Sequence, residues 1–267
     1  MSAVDTTFET LRSQGRKAFL PFVTAGDPNL NFTGKVLKEL ISRGASLCEL
    51  GIPYSDPIAD GPVIQASYTR VLDQNQKLAD ILKAAQTWTT ELSAPIVSMV
   101  SYSIIHRQGL ENYVTSAKAA GIAGAIVPDL LVEESAAFAE ICRREDFSLI
   151  QLVTPTTPRE RALQICETST GFLYFVSVTG ITGERTELPP EVVEQVGWLK
   201  ARTDLPICIG FGISKPEHVK MLAPVADGLI VGSAIVRKIA EVEEKGEQAV
   251  LAEIGALADE LITAINS

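Results

Sequence analysis

Hydrophobic positions fall in short runs separated by longer amphipathic stretches, and the alternation continues along the chain. The apolar runs are Phe19–Val23, Leu47–Leu50, Ile96–Val100, Gly124–Val127, Leu149–Val153, Phe172–Val176, Ile207–Ile209 and Leu229–Val231, which makes eight strand candidates. The amphipathic stretches between them predict helices over Leu30–Ser42, Leu78–Glu91, Glu111–Ala120, Glu133–Arg144, Arg159–Thr168, Pro190–Arg202 and Pro216–Leu222. Strict alternation predicts parallel strands joined by helical crossovers. Runs that are apolar throughout predict strands buried on both faces. Eight such units close into a (β/α)8 barrel, and a doubly wound open sheet is the alternative that the pattern alone leaves open.

Two segments lie outside the repeat. Asp5–Gln14 predicts a short extra helix before the first strand, placed to cover the bottom of the barrel. Val236–Asn266, rich in Ala, Glu and Leu, predicts a long closing helical region. With no linker, low-complexity run or repeat beyond the strand–helix alternation, the 267 residues read as one domain, 1–267. That is about the length of a single α/β barrel.

Composition narrows the picture. Residues are 46% hydrophobic but only 6% aromatic, so the core is aliphatic, as suits a barrel interior layered with Val, Ile and Leu. Net charge is -10, and an acidic surface repels phosphate backbones and anionic lipid, which argues against nucleic acid and membrane surfaces as partners. No apolar run approaches the ~20 residues of a membrane span. The first ten residues carry Asp5 and Glu9 without a basic region, unlike a targeting peptide. The four cysteines form no C-x-x-C pair, which predicts a reducing, cytoplasmic setting without disulfides.

In a barrel of this kind, chemistry sits where strands end and the following loops begin. Glu49 interrupts an apolar strand between Leu47 and Leu50, so its carboxyl is expected to point into the barrel mouth. Desolvation there raises a carboxyl pKa and suits it to proton transfer near neutrality. A buried structural hydrogen-bond network is the other reading of the same residue. Asp60 lies on the next loop, whose Pro53, Pro57, Gly61 and Pro62 restrict the backbone and can aim a second carboxylate over the mouth. Asp-Gly alone is only a turn signal.

Glycines after the seventh and eighth strands, Gly212 and Gly232, let backbone N–H groups approach an anion. Ser233 adds a hydroxyl at a helix start, and Gly183 in the sixth loop can supply a further N–H. Turn geometry alone is the competing reading of these glycines. The pattern points to a small phosphorylated substrate.

Several chemistries find no support. No Lys stands at a predicted strand end, against a Schiff-base aldolase. His106 and His218 lack the clustering of a metal site. A G-x-G-x-x-G dinucleotide motif is absent.

The segment Glu49-Leu-Gly-Ile-Pro-Tyr-Ser-Asp-Pro-Ile-Ala-Asp-Gly61 resembles the signature of the tryptophan synthase α subunit family. Three further segments are similar to that family's first loop, mobile sixth loop and phosphate site. They are Pro21–Pro28, Thr179–Gly183, and the pair Gly210–Ser214 with Val231–Val236. The resemblance covers nearly the whole chain. It implies a (β/α)8 TIM barrel that cleaves indole-3-glycerol phosphate to indole and glyceraldehyde 3-phosphate in tryptophan biosynthesis. It implies Glu49 as general acid/base and Asp60 as the carboxylate facing the indole N–H. Tyr174 follows as an orienting group, and Phe22 and Phe211 as apolar positions around the indole. Thr182 and Gly183 in the sixth loop, with Gly212, Gly232 and Ser233, complete the substrate contacts.

The resemblance also implies a β-subunit partner in an α2β2 tetramer, with Asp56 in the loop used against that partner. Pyridoxal phosphate belongs to the partner, and no cofactor or metal is expected in this chain. Ser103-Ile104-Ile105 and Leu131 depart from the family pattern and leave the local loop contacts open. A free-standing lyase and a weakly catalytic activating subunit are the alternatives.

Overall fold

The computed structural model describes residues 1–57, 60–176, 190–210 and 212–267. Nine parallel strands carry the fold among these residues: β1 (Ala18–Thr24), β2 (Cys48–Gly51), β3 (Ile96–Met99), β4 (Ile122–Ile126), β5 (Ser148–Ile150), β6 (Leu152–Val153), β7 (Leu173–Val176), β8 (Ile207–Gly210) and β9 (Gly228–Val231). They pair in the order β5-β4-β3-β2-β1-β9-β8-β7-β6. The two ends of that order are consecutive in the chain. The Ile150 carbonyl accepts the Val127 N–H at 3.4 Å, and the Gln151 carbonyl accepts the Tyr174 N–H at 3.1 Å. The run Leu149–Val153 therefore pairs with β4 through its first half and with β7 through its second, and the chain itself closes the barrel. The fold is the eight-unit barrel read from the sequence, with its fifth strand split at Gln151.

Alternation along each strand sorts its side chains into two layers. Leu20, Phe22, Val97, Met99, Ile126, Ile150, Tyr174, Cys208 and Ile230 fill the barrel interior. Phe19, Val23, Cys48, Leu50, Leu149, Leu173, Phe175, Ile209 and Leu229 face outward under the helices. This double burial is the physical reason the strands read as continuous apolar runs.

The helices are α1 (Ala3–Ser13), α2 (Leu30–Ser42), α3 (Pro62–Leu72), α4 (Leu78–Glu91), α5 (Tyr102–Gln108), α6 (Leu110–Ala119), α7 (Ala136–Arg144), α8 (Arg159–Thr168), α9 (Pro190–Lys200), α10 (Pro216–Leu222), α11 (Ser233–Ile239), α12 (Val242–Lys245) and α13 (Glu247–Ile265). Helix α1 is the expected extra helix. It starts earlier than the sequence suggests because Ser2 is its N-cap and forms a capping box with Asp5. Its Val4, Phe8 and Leu11 plug the bottom of the interior, with Phe8 against Phe172. The closing helical region expected over Val236–Asn266 is present and is divided into three helices, the first starting at Ser233. The last break falls at Gly246, whose φ of 83° lies outside the helical region. Two helices not expected from the sequence are α3 and α5. Among the described residues no helix is long and apolar enough to cross a membrane.

Candidate active site

Strand β2 is paired so that Glu49 lies level with Phe22 on β1 and Val97 on β3. Both neighbours belong to the apolar interior layer. The Glu49 side chain is fully buried, and neither carboxyl oxygen has a hydrogen-bond partner among the described residues. Burial pushes its pKa well above the ordinary glutamate value, because the charged form has lost its water and gained no replacement. A network of buried hydrogen bonds, the structural reading of Glu49, is not found among the described residues.

Two residues farther along β2 and on the same face, Gly51 makes room for the site. A Cβ at Gly51 would meet the Phe22 ring at 2.3 Å and the Tyr68 hydroxyl at 2.9 Å. On the far wall, a Cβ at Gly210 would meet the Tyr174 hydroxyl at 2.7 Å. These two glycines let aromatic side chains close over the interior from opposite sides.

Asp60 stands above this floor, on the loop that leads into α3. Its N–H donates to the Pro57 carbonyl at 3.1 Å, and Gln65 Nε2 of α3 donates to the Asp60 carbonyl at 2.8 Å. Partial burial pushes the Asp60 carboxyl up to about 6. Two depressions share Asp60, Met99 and Pro128. The larger encloses about 370 Å³ and reaches Tyr174, Val176 and Leu152 on one side and Leu131, Val132 and Arg161 on the other. Leu131 is thus an exposed wall of the cleft. The Asp129 carboxylate accepts from Ser101 Oγ at 2.6 Å and from the Tyr102 N–H at 2.7 Å, tying the fourth loop to the start of α5.

Helix α3 is clamped to the first loop. Arg70 donates bidentately to the buried Asp27 carboxylate, at 2.9 and 2.6 Å, and the hydroxyls of Thr24 and Ser67 lie 2.6 Å apart. Sequence reading missed this helix and with it Tyr68, a buried phenol that faces Asp60 and Glu49. The signal was present: Pro62 occupies the first helical turn, and Ile64, Tyr68 and Val71 recur at helical spacing.

Glu49, Asp60, Phe22 and Tyr174 thus come together at one end of the barrel. Gly232 follows β9 next to Phe22, at 3.5 Å from its Cβ position to the Phe22 Cβ, and Ser233 opens α11. Gly212 is exposed, with a φ of 64° and open space where a side chain would stand. The expected contacts from Thr182, Gly183 and Phe211 lie outside the described residues. Of the two histidines, His106 falls in the last turn of α5, and His218 Nδ1 accepts the Ser214 N–H at 3.4 Å. No metal-binding group of His, Cys, Asp and Glu is found among the described residues.

The family model described as the tryptophan synthase alpha chain matches residues 8–266. A tryptophan synthase alpha chain of Rhodopirellula baltica is 58% identical over 250 residues, covering 92% of this chain and 90% of its own. Among solved structures, tryptophan synthase subunit alpha of Legionella pneumophila superposes with a TM-score of 0.90 at 34% identity, covering 99% of this chain and 98% of that one. A chain of tryptophan synthase from M. tuberculosis in an aminoacrylate-bound form gives a TM-score of 0.88 at 28% identity, with 100% of both chains covered.

Proposed function

We infer, from the premise that this chain belongs to the tryptophan synthase alpha chain family, that it cleaves indole-3-glycerol phosphate to indole and glyceraldehyde 3-phosphate and hands the indole to a β subunit. The observation that carries this reading is the contrast between the Asp60 carboxyl, which lines the cleft, and the Glu49 carboxyl, buried in the interior at the same end of the barrel. Burial pushes the Glu49 carboxyl well above the ordinary glutamate value and so favours its protonated form, whereas Asp60, at about 6, is largely ionised at neutral pH. Two neighbouring carboxyls with separated pKa values divide into an acid and an anion.

Glu49 gives its proton to indole C3, and the ring nitrogen takes up the positive charge. The Asp60 carboxylate accepts the indole N–H and stabilises that charge. Glu49, now ionised, removes the proton from the glycerol hydroxyl next to the ring. The carbon–carbon bond breaks, its electron pair restores the indole, and the hydroxyl carbon becomes the aldehyde. No net proton is consumed, so a single carboxyl serves both transfers and the chemistry is that of a carbon–carbon lyase. Tyr174 packs against Gly210 and lies in the field of Glu49, which supports an orienting role.

The phosphate is assigned to the N–H groups of Gly183, Gly212 and Gly232 and to Ser233, with Thr182 and Phe211 completing the enclosure. The first N–H groups of a helix lack partners within it, which supports an anion at Ser233. The protein is read as a single domain, cytoplasmic, without a cofactor of its own. It works in an α2β2 tetramer whose β subunit carries pyridoxal phosphate.

Steady-state cleavage of indole-3-glycerol phosphate, measured with and without a cognate β subunit, tests this reading. Indole release that rises on adding the β subunit is expected. Fast release unaffected by the β subunit indicates a free-standing lyase, and no release under either condition overturns the assignment.

A further inference from the structure

Tyr68 is 3% exposed and belongs to the interior layer with Phe22, Ile64 and Tyr174. Its hydroxyl occupies the space directly above Gly51, on the same face of β2 as Glu49 and one step nearer the mouth. With Asp60 it lines the cleft at the barrel mouth. Its helix is held by the Asp27–Arg70 ion pair and the Thr24–Ser67 hydrogen bond, so the phenol is presented on a rigid support. Burial first, then the charge of Asp60, then that of Glu49, push its pKa well above the ordinary tyrosine value. The hydroxyl therefore keeps its proton and can only donate toward a carboxylate.

We propose that Tyr68 is a positioning residue for this reaction: with substrate in the cleft, its hydroxyl donates a hydrogen bond to the Asp60 carboxylate and fixes that carboxylate on the indole N–H. The inference rests on the lyase reading above. In the empty cleft Tyr68 and Asp60 share a wall without being bonded. Catalytic hydrogen bonds commonly tighten only when the substrate closes the gap. A bond donated to the ionised form opposes the burial that raises Asp60 and keeps it an anion in the complex.

Other ionisable groups face Asp60. Glu49 rises from β2, Tyr174 from β7 and Asp129 from the loop after β4, and Tyr54 and Asp56 share the Asp60 loop. Arg161 of α8 stands at the far end of the cleft, where it pairs with Glu133 at 2.8 Å. Among these described groups, the tyrosine hydroxyls are the neutral donors within the apolar walls. Of the two interior tyrosines, Tyr68 feels Asp60 more strongly than Glu49, and Tyr174 the reverse.

The test is cleavage in the presence of the β subunit over about pH 5 to 9 for the wild type, Tyr68→Phe, Ser67→Ala, Asp60→Asn and the Tyr68→Phe/Asp60→Asn double variant. Phe keeps the buried ring and loses only the hydroxyl. Tyr68→Phe is expected to lower kcat by roughly 10-fold, the scale of a hydrogen bond to a charged group. KM should stay within about twofold, because the bond in the complex holds Asp60 rather than the substrate and strengthens as charge develops at the indole nitrogen. In the wild type the acid limb of kcat should lie below that of kcat/KM, and Tyr68→Phe should move the kcat limb upward. In the Asp60→Asn background Tyr68→Phe should have little further effect.

Ser67→Ala disturbs the same helix but should leave the limb in place. A Tyr68→Phe enzyme with unchanged kcat and limb overturns the proposal. So does a kcat loss with an unmoved limb, or an undiminished loss in the Asp60→Asn background. A wild type that releases no indole sinks the lyase reading and this proposal with it. A wild type that cleaves while Tyr68→Phe matches it sinks this proposal alone.

Discussion

The polar groups at the bottom of the barrel and Glu49 near its mouth are treated in opposite ways. At the bottom, polar groups that approach the interior are paired. The Asp5 carboxylate accepts from the Ser2 N–H at 2.8 Å and from Ser2 Oγ at 2.9 Å, and Ser148 Oγ lies 2.7 Å from Ser2 Oγ. Lys17 is half-buried with a lowered pKa, caused first by burial and then by Lys200, and its Nζ donates to the carbonyls of Ala223 and Ala226. Asp227 accepts the Ile207 N–H at 2.9 Å and pairs with Lys200. Toward the top, Glu49 is fully buried and has no partner among the described residues. The same interior thus holds a satisfied end that closes the fold and an unsatisfied carboxyl that keeps a proton available. An unpaired buried group is costly, and the proposed reading puts that cost to use in proton transfer.

Glu49→Gln should break the contrast most sharply. On the proposed reading it removes the acid and base of both transfers, so turnover should fall by at least roughly 10²–10⁴-fold in the cleavage assay. The same variant should melt at a higher temperature at neutral pH. A carboxyl whose folded pKa is raised contributes stability that is present below its unfolded value and lost as pH rises. The gain should therefore vanish in acid, near the ordinary glutamate value. A Glu49→Gln enzyme with near wild-type turnover removes Glu49 from the mechanism.

Asp60→Asn follows, with turnover expected to fall on the order of 10²-fold through loss of transition-state charge stabilisation. For the wild type, kcat/KM should decline as pH falls through about 6, where Asp60 takes up its proton. Stability should run the other way across that window. Between the ordinary value of 3.8 and about 6 the folded state holds a proton the unfolded chain releases, so stability drops as pH rises. Thermal melts of wild type and Asp60→Asn across this range read the difference directly.

The bottom should respond in stability and not in rate. Phe8→Ala opens a cavity against Phe172 and should cost about 3–5 kcal/mol in denaturant unfolding, with kcat unchanged at temperatures where the variant is folded. A kcat loss comparable to that of Asp60→Asn would erase the distinction between the two ends.

The smallest expected effect is on substrate binding. Gly232 has a φ of -109°, which a larger residue can adopt, and its Cβ would reach ordinary contact with Phe22. Gly232→Val should therefore raise KM by roughly 10-fold, by displacing the phosphate rather than by straining the backbone. Gly212 is a poorer probe, because its positive φ confounds any β-branched replacement. An unchanged KM for Gly232→Val moves the phosphate elsewhere.

What the sequence discloses follows from range. The strands are legible because double burial makes each a local apolar run, and Glu49 is legible because it interrupts one. The split at Gln151 is not legible, since the run Leu149–Val153 does not show that its two halves pair with different neighbours. Helix α3 is hidden behind the proline-rich loop that also carries Asp60. With no helix expected over Pro62–Leu72, both Tyr68 and the Asp27–Arg70 clamp, which joins residues 43 positions apart, stayed concealed. The satisfied network at the bottom was equally out of reach, because Ser2 and Ser148 meet only through the closed barrel. Tertiary pairing of polar groups, unlike apolar periodicity, leaves no local trace.

The central claim is that burial separates the titrations of the Glu49 and Asp60 carboxyls. Carbon-13 titration of the Glu and Asp side-chain carboxyls in the intact chain, assigned with Glu49→Gln and Asp60→Asn, measures this without reference to turnover. The account predicts a Glu49 signal that titrates well above the ordinary glutamate range and an Asp60 signal with a midpoint of about 6. A Glu49 carboxyl that titrates in the ordinary glutamate range, together with Asp60, would contradict it.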